Sequence, residues 1–337
     1  MKKLVVITGA SSGLGLSHAI YLTHKGYTVF GTTRDLEKIN FEVLKETYSQ
    51  DHTKWKFTDK TKLKVEAKKS IIPKKIANNL EEIIKKIRFF QMDVNSDISV
   101  KNAFEEIQKT AKDLGFEGID VLINNAGISY FGSVEDLSID DWKNTFETNF
   151  FGVLRTIKAV LPSMKERRKG QILNTSSLAG LVAIPFQSHY SASKAAQKLL
   201  TEGLRMELKE FNIKVSSILP SDINTNFNRN TLGLTKERAN KLASFEVGKI
   251  LATLPVDQKS DYFNSSKKVW KVIIQNLIMS PPPKAISKQI NRILKKRYPK
   301  VNYSFGDPLQ RFLLLFVARR LFPDRWIYFL LPFYYGM

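Results

Sequence analysis

A tyrosine and a lysine stand four positions apart in the stretch HYSASK, at Tyr190 and Lys194, among small residues. On a helix they lie one turn apart on the same face. An ammonium held near a phenol favours the phenolate and lowers its pKa. A phenol tuned towards neutrality serves as a general acid or base. The same spacing also occurs on ordinary surface helices, so the pair needs support from elsewhere in the chain.

A second chemical feature is TGASSGLG at residues 8–15. It follows the apolar, β-branched run LVVI and opens a helical pattern. Glycines there let the backbone turn sharply and approach a pyrophosphate, while the helix N-terminus supplies N–H donors and the positive end of a dipole. A lone glycine-rich turn is weak evidence; the strand–turn–helix setting strengthens it.

The elements that must hold these residues are legible as an alternation. Strand patterns occur at KKLVVITGA, YTVFGTT, FFQMDV (89–94), IDVLINNAG (119–127), GQILNTSS (170–177) and IKVSSILP (213–220). Helical patterns fall at 14–25, 98–114, 140–168 and 190–211. Strands alternating with helices predict a parallel, doubly wound α/β sheet. Residues 41–88 break the rhythm and are too long for an ordinary connection. They read as a lysine-rich insertion, partly helical and mobile. PPP at 281–283 ends another helical region and opens a basic C-terminal extension; the expected division is a catalytic domain at 1–257 and a basic, apolar extension at 258–337.

Gly9, Gly13 and Gly15 in TGASSGLG, NNAG at 124–127, Asn149 in TNFFG, Ser177 in NTSS and YSASK at 190–194 together resemble the short-chain dehydrogenase/reductase family. Their order matches, Ser177 precedes Tyr190 by the family's 13 positions, and the resemblance covers roughly residues 1–255. GLVAIPFQSHYSASK most resembles the branch of 17β-hydroxysteroid and retinol dehydrogenases. The resemblance implies a Rossmann-type fold that binds a nicotinamide dinucleotide. It makes Tyr190 the acid in carbonyl reduction and the base in alcohol oxidation. Lys194 would lower the tyrosine's pKa and hold the nicotinamide ribose. Ser177 would orient the substrate oxygen, and Asn149 would carry a water linking Lys194 to solvent. Taken singly, Ser177 also fits a cap or turn, and Asn149 a kink.

The resemblance further places Gly9, Ser11, Ser12, Gly13, Leu14 and Gly15 at the phosphates. Asp93 and Val94 fall beside the adenine, and Asn125, Ala126 and Gly127 along the cofactor. Thr225 in PSDINT would meet the carboxamide, with Ser221 standing where the family commonly has glycine. Residues 226–260 would form a lid. At the end of the second strand the sequence reads GTTRD, with Thr33 where the family's NAD enzymes usually carry Asp, and Arg34 next. An acidic residue there would repel a 2′-phosphate, whereas a guanidinium pairs with one. NADP(H) is therefore expected over NAD(H). Asp35, pairing Arg34 in a surface turn, is the opposing reading.

Composition narrows the rest. The chain has 337 residues and no cysteine, so disulfides and thiolate metal sites are excluded; the four histidines lack ligand spacing. The apolar run starts almost at Met1 without the parts of a signal peptide, and a cytoplasmic start is expected. The formal net charge is +21, of which residues 41–88 hold +6 and residues 258–337 hold +12. Such excess suits anionic membrane or nucleic acid, or is a solvated surface. Nothing in it has the aromatic-and-basic layout of a nucleic-acid module. The tail from Gln310 carries two apolar runs divided by Arg319, Arg320, Asp324 and Arg325, each too short to cross a bilayer. It reads either as packed over the protein or a dimer partner, or as an interfacial anchor on anionic lipid.

SYFG at 129–132, Leu178, Pro185 and Phe186 should face the nicotinamide, which suits a lipophilic substrate. The expected function is NADP(H)-dependent hydride transfer with a lipophilic ketone or a secondary or retinoid-type alcohol, by a homodimer. The alternatives are a 3-keto lipid (3-ketosphinganine or 3-oxoacyl) reductase, and a non-catalytic nucleotide-fold protein at membranes.

Overall fold

The computed structural model describes residues 3–37, 39–57, 64–70, 72–223, 225, 227, 245–246, 254, 256–306, 329 and 331–337. Strand β1 (Leu4–Ile7) lies at the centre of the main sheet, and all four of its residues are fully buried. An uninterrupted apolar strand is what a sheet covered on both faces requires. Around it run β2 (Thr28–Thr33), β5 (Arg88–Gln91), β6 (Val121–Asn124), β7 (Gly170–Thr175), β8 (Ile213–Pro220) and β10 (Asn302–Phe305). Their order is β10-β8-β7-β6-β1-β2-β5 and every pairing is parallel. The expected Rossmann-type sheet is thus present. Its strand order reverses at β1, between β2 and β6, and the crevice over the strands' carboxyl ends there is where such sheets bind ligands.

Helices α1 (Gly13–His24), α5 (Asp97–Asp113), α7 (Gly152–Glu166) and α8 (Ser188–Glu207) fall on the expected helical patterns. The pattern at 140–168 is not one continuous helix. Helix α6 (Ile139–Phe146) passes into a π-helical turn at Glu147–Phe151 before α7 begins. A buried polar chain then ties the sheet to its helices. Thr156 donates to Asn124 at 2.7 Å, Asn124 to Asn174 at 2.9 Å, and Asn174 to Thr201 at 3.0 Å. With each partner satisfied, this chain fixes α8 against β7.

Two features depart from the sequence-based division. Residues 41–88 are not wholly an addition to the core. Helix α2 (Phe41–Asp51), the short α3 (Lys74–Ala77) and α4 (Leu80–Lys85) bury Leu44, Tyr48, Ile76, Leu80, Ile83 and Ile84 in the same cluster as Leu16 and Ile20 of α1. Only β3 (Thr53–Phe57) and β4 (Lys64–Ser70) form a separate antiparallel sheet, joined by β9 (Phe245–Glu246). The second departure lies beyond residue 257. Helix α9 (Phe263–Met279) is followed by α10 (Lys284–Leu294), which buries Ile286, Ile290, Ile293 and Leu294 in α1's cluster, and by β10, the seventh strand. No described helix is long and apolar enough to cross a membrane.

Candidate active site

The strands' carboxyl ends open into a cavity of about 690 Å³. Its nucleotide side is lined by Gly9, Ser11, Ser12, Gly13, Leu14, Thr33, Arg34, Asp93, Val94, Asn125, Ala126, Gly127 and Thr225. Ser177, Tyr190 and Lys194 lie along the same cavity. Of the predicted catalytic and cofactor residues, only Gly15 and Asn149 are not in its lining. Of the residues expected to face the nicotinamide, Leu178 lines it, whereas 129–132, Pro185 and Phe186 do not, and Phe131 and Phe186 pack in a hydrophobic cluster instead.

Gly15 acts by absence of bulk. A Cβ there would lie 2.2 Å from the Gly9 carbonyl oxygen, so only glycine lets helix α1 start so close beneath the loop. Gly9 and Gly13 both turn through positive φ, +63° and +55°. Ser12 precedes α1 without spending its hydroxyl on a cap. Asn125 clamps the loop: its N–H donates to Thr8 Oγ1 at 2.9 Å and its amide to the Thr8 and Gly9 carbonyls at 3.1 and 3.3 Å. A cradle of glycine and serine at the N-terminus of helix α1 fits a dinucleotide's phosphates. At the end of β2 the Thr33 hydroxyl approaches Ser11 at 3.4 Å, and exposed Arg34 borders the cavity. The Asp35 carboxylate accepts the N–H of Glu37 at 2.9 Å.

The loop has a support that sequence reasoning missed. Asp51, 2% exposed at the end of α2, accepts the N–H of Gly13 at 3.1 Å. A carboxylate in a lysine-rich stretch 38 residues away gives no sequence signal for this contact.

Asn149 sits in the π-helical turn and is fully buried. Its oxygen accepts the N–H of Ile128 at 2.9 Å, while its amide donates to the Ile128 carbonyl at 2.9 Å and to Ser193 Oγ at 3.0 Å. It is a cross-brace between the strand β6 exit and α8. The π turn is the local distortion that points it inward.

Lys194 is buried, and its Nζ donates to the Thr175 carbonyl at 2.8 Å and meets Gln197 Oε1 at 3.4 Å. Burial lowers its pKa to about 7. The ammonium lies 5.7 Å from the Tyr190 ring centroid. Tyr190 is partly buried at the cavity wall, and its pKa is pushed up to about 12 by desolvation, with a hydrogen bond from Ser177 opposing the rise and Asp222 adding to it. This corrects the expectation of a lowered tyrosine. The same burial that brings lysine and phenol together penalises charge on both, and the lysine's proton is directed at Thr175 instead. The Pro220 carbonyl, 3.5 Å from the Ser177 hydroxyl, is the alternative acceptor for its single proton, and Ser176 donates to the Lys194 carbonyl at 2.7 Å.

His189, next to the tyrosine, is buried, and its Nε2 accepts the N–H of Tyr130 at 3.1 Å. Burial lowers its pKa to about 4, so the ring is neutral and the proton sits on Nδ1. It is a strut for the 129–132 segment.

The outer wall comes from the far end of the chain. Asn276 of α9, Leu331, Tyr334 and Tyr335 line the cavity, and Asn276 donates to the Tyr334 hydroxyl at 2.8 Å. Tyr335 is 8% exposed and packs in a cluster with Phe131, Phe186, Val269, Trp270 and Ile274. Burial first, and then Asp222, raises its pKa. Ser221, the residue standing for the family's glycine, finds room because Gly306 faces it: a Cβ at 306 would lie 1.7 Å from its Oγ. Most of the expected lid at 226–260, and most of the tail at 310–328, lie outside the described residues.

A parallel sheet with a glycine cradle at its switch point and a Ser–Tyr–Lys set beside it defines a nucleotide-dependent oxidoreductase. The model for short chain dehydrogenases matches residues 62–233. A 3-ketodihydrosphingosine reductase of Bacteroides thetaiotaomicron is 30% identical over 99% of this chain and 98% of its own. Retinol dehydrogenase 8 of Bos taurus is 37% identical over 67% of this chain and 60% of its own. The structure of a short-chain dehydrogenase from Streptomyces avermitilis aligns with a TM-score of 0.64 at 22% identity, covering 98% of this chain and 95% of the other. The chain belongs to the short-chain dehydrogenase/reductase family, near its retinol and steroid dehydrogenase branch. It is an oxidoreductase of the nicotinamide-dependent class.

Proposed function

We propose that the protein is an NADP(H)-dependent reductase of a lipophilic ketone, with a long-chain 3-keto lipid such as 3-ketosphinganine as the favoured substrate. The observation that carries the chemistry is Tyr190, partly buried beside Ser177 and lining a cavity with an aromatic outer wall. A pKa of about 12 keeps the proton on Tyr190 at neutral pH. That is the form reduction needs, and a phenol remains a stronger acid than the product alcohol. Ser177 orients the carbonyl oxygen and stabilises the charge growing there. Lys194, held by Thr175, presents a proton that can follow the one Tyr190 gives up. The nicotinamide supplies the hydride when bound.

Arg34, with Thr33 and Ser11 beside it, supports a 2′-phosphate and thus NADPH. The substrate class is favoured by the extent of likeness: the 3-ketodihydrosphingosine reductase aligns over nearly both whole chains, whereas retinol dehydrogenase 8 aligns over 67% of this one. A retinoid-type alcohol is the second reading, supported by the higher identity within that shorter span. Exposed Phe329, Phe333 and Tyr334, the last of them lining the cavity, support peripheral contact with a membrane that holds such substrates. Loss of NADPH absorbance with 3-ketosphinganine, retinal and a steroid ketone, run side by side, tests the reading. Turnover of retinal alone would transfer it to the second substrate, and NADPH binding without turnover of any ketone would overturn it.

A further inference from the structure

A second concavity opens at the opposite end of the strands from the active site, with a volume of about 610 Å³. Four parts of the chain converge on it: Lys3 before β1, the α1–β2 turn at Lys25, Gly26 and Tyr27, Lys214 at the start of β8, and Leu294, Lys295, Lys296 and Arg297 at the end of α10. Six of these nine residues are cations, and no carboxylate is among the nine.

Four of the cations are positioned by contacts other than ion pairs among the described residues. Lys3 Nζ donates to the Leu294 carbonyl at 2.9 Å, at the negative end of α10. Lys25, Lys296 and Arg297 lie over the rings of Tyr21, Tyr303 and Tyr298 at 5.5, 5.3 and 5.3 Å. Ring contacts of this kind fix a head group but leave its charge uncancelled. The carboxylate that reaches Lys3 is Asp120, and it already meets Lys169 at 3.0 Å and Arg167 at 3.7 Å. Burial lowers the pKa of Lys3, and Lys214 and Lys169 lower it further against Asp120. Lys214 and Lys169 therefore stand close enough to Lys3 to disfavour its ionisation.

We propose that this cleft is a binding site for a compact anion carrying clustered phosphate groups. Lysines present point charges that suit phosphate oxygens without demanding one bidentate geometry. The cleft is open to solvent, and its volume is within the range that a small anion needs. An anion there would relieve the repulsion between Lys3 and Lys214. The site is separate from the dinucleotide cradle, because it lies at the amino ends of the strands that end in that cradle. Two sources share the chemistry: a soluble polyphosphorylated compound and a phosphorylated lipid headgroup.

Isothermal titration of the full chain with tripolyphosphate at low salt is the test. Wild type should show saturable binding, and the pair Lys25→Glu with Lys295→Glu should weaken it roughly tenfold or more. NADPH binding, measured in parallel by fluorescence, should not change in that pair. A second pair, Lys214→Glu with Arg297→Glu, approaches from other walls and serves if the first folds poorly. Flotation with vesicles of phosphatidylcholine and a phosphatidylinositol phosphate separates the sources. Vesicle binding displaced by tripolyphosphate and lost in the variants assigns the headgroup; tripolyphosphate binding without flotation assigns a soluble phosphate compound. Tripolyphosphate affinity equal in wild type and both pairs, or no saturable heat, would overturn the site.

Discussion

The carboxylate of Asp51 accepts the backbone N–H of Gly13 at 3.1 Å, tying a helix of the lysine-rich stretch to the loop that cradles phosphate. The bond is buried, so its loss leaves a backbone donor unsatisfied at a cost of about 1–3 kcal/mol. Asp51→Ala should therefore lower stability by that order in urea unfolding and weaken NADPH binding. Asp51→Asn keeps an acceptor and should recover most of both. Equal NADPH affinity in the Ala variant would show that the bond does not position the loop.

Tyr190→Phe removes the hydroxyl and leaves the ring. Turnover should fall by roughly 10²–10⁴-fold, the usual worth of a positioned acid. NADPH affinity, measured by fluorescence titration, should stay near the wild-type value. Near-full activity in this variant would discard the proton-donor role.

Arg34 borders the nucleotide side of the cavity and is exposed to solvent. One charge-assisted phosphate contact is worth about 1.5–3 kcal/mol, or roughly tenfold or more in affinity. Arg34→Ala should weaken NADPH by that factor and leave NADH almost unchanged. A matching loss for both cofactors would remove Arg34 from the choice.

Tyr335 and the Asn276–Tyr334 hydrogen bond close the cavity's outer side. Tyr335→Ala should raise KM for the lipophilic ketone several-fold, because an aromatic wall is lost, and should lower folding stability by about 3–5 kcal/mol, the usual cost of emptying a buried aromatic site. Cofactor affinity should not respond. An unchanged KM would mean that substrate does not touch the tail.

Three histidines are buried with lowered pKa values: His18 about 3, His52 about 4 and His189 about 4. Their unfolded forms take up protons near pH 6.5 while the folded forms do not. Stability should be fully present above that pH and fall as pH drops from about 6.5 towards 4, by roughly 1.4 kcal/mol per pH unit for each histidine. His52→Phe should flatten the slope between those limits. An unchanged slope, read from urea midpoints at several pH values, would show that His52 charges freely in the folded state.

Much of the site was legible because its chemistry depends on local spacing. TGASSGLG, NNAG and YSASK each need only a strand end or a helix turn to become functional, and hydrophobic patterning predicts those elements directly. Contacts between distant segments were not legible. Nothing in SQD at 49–51 announces a partner at Gly13, and nothing in NYSF at 302–305 announces a seventh strand, since its four residues are only partly buried. The tyrosine's raised pKa was missed for another reason: charge pairing can be read from spacing, but the cost of desolvation cannot.

Strand β10 pairs with β8, and the Phe305 carbonyl accepts the Ser221 N–H at 2.7 Å, one residue from the carbonyl that Ser177 reaches. During synthesis, β8 leaves the ribosome about 80 residues ahead of its neighbour, a wait of roughly 4–16 s at ordinary elongation rates. Throughout that interval β8 is an open edge, a template for pairing with other nascent chains. A message cut short before codon 302 would thus yield every catalytic side chain and a polypeptide prone to aggregate. Chaperone demand should concentrate on that late window of translation.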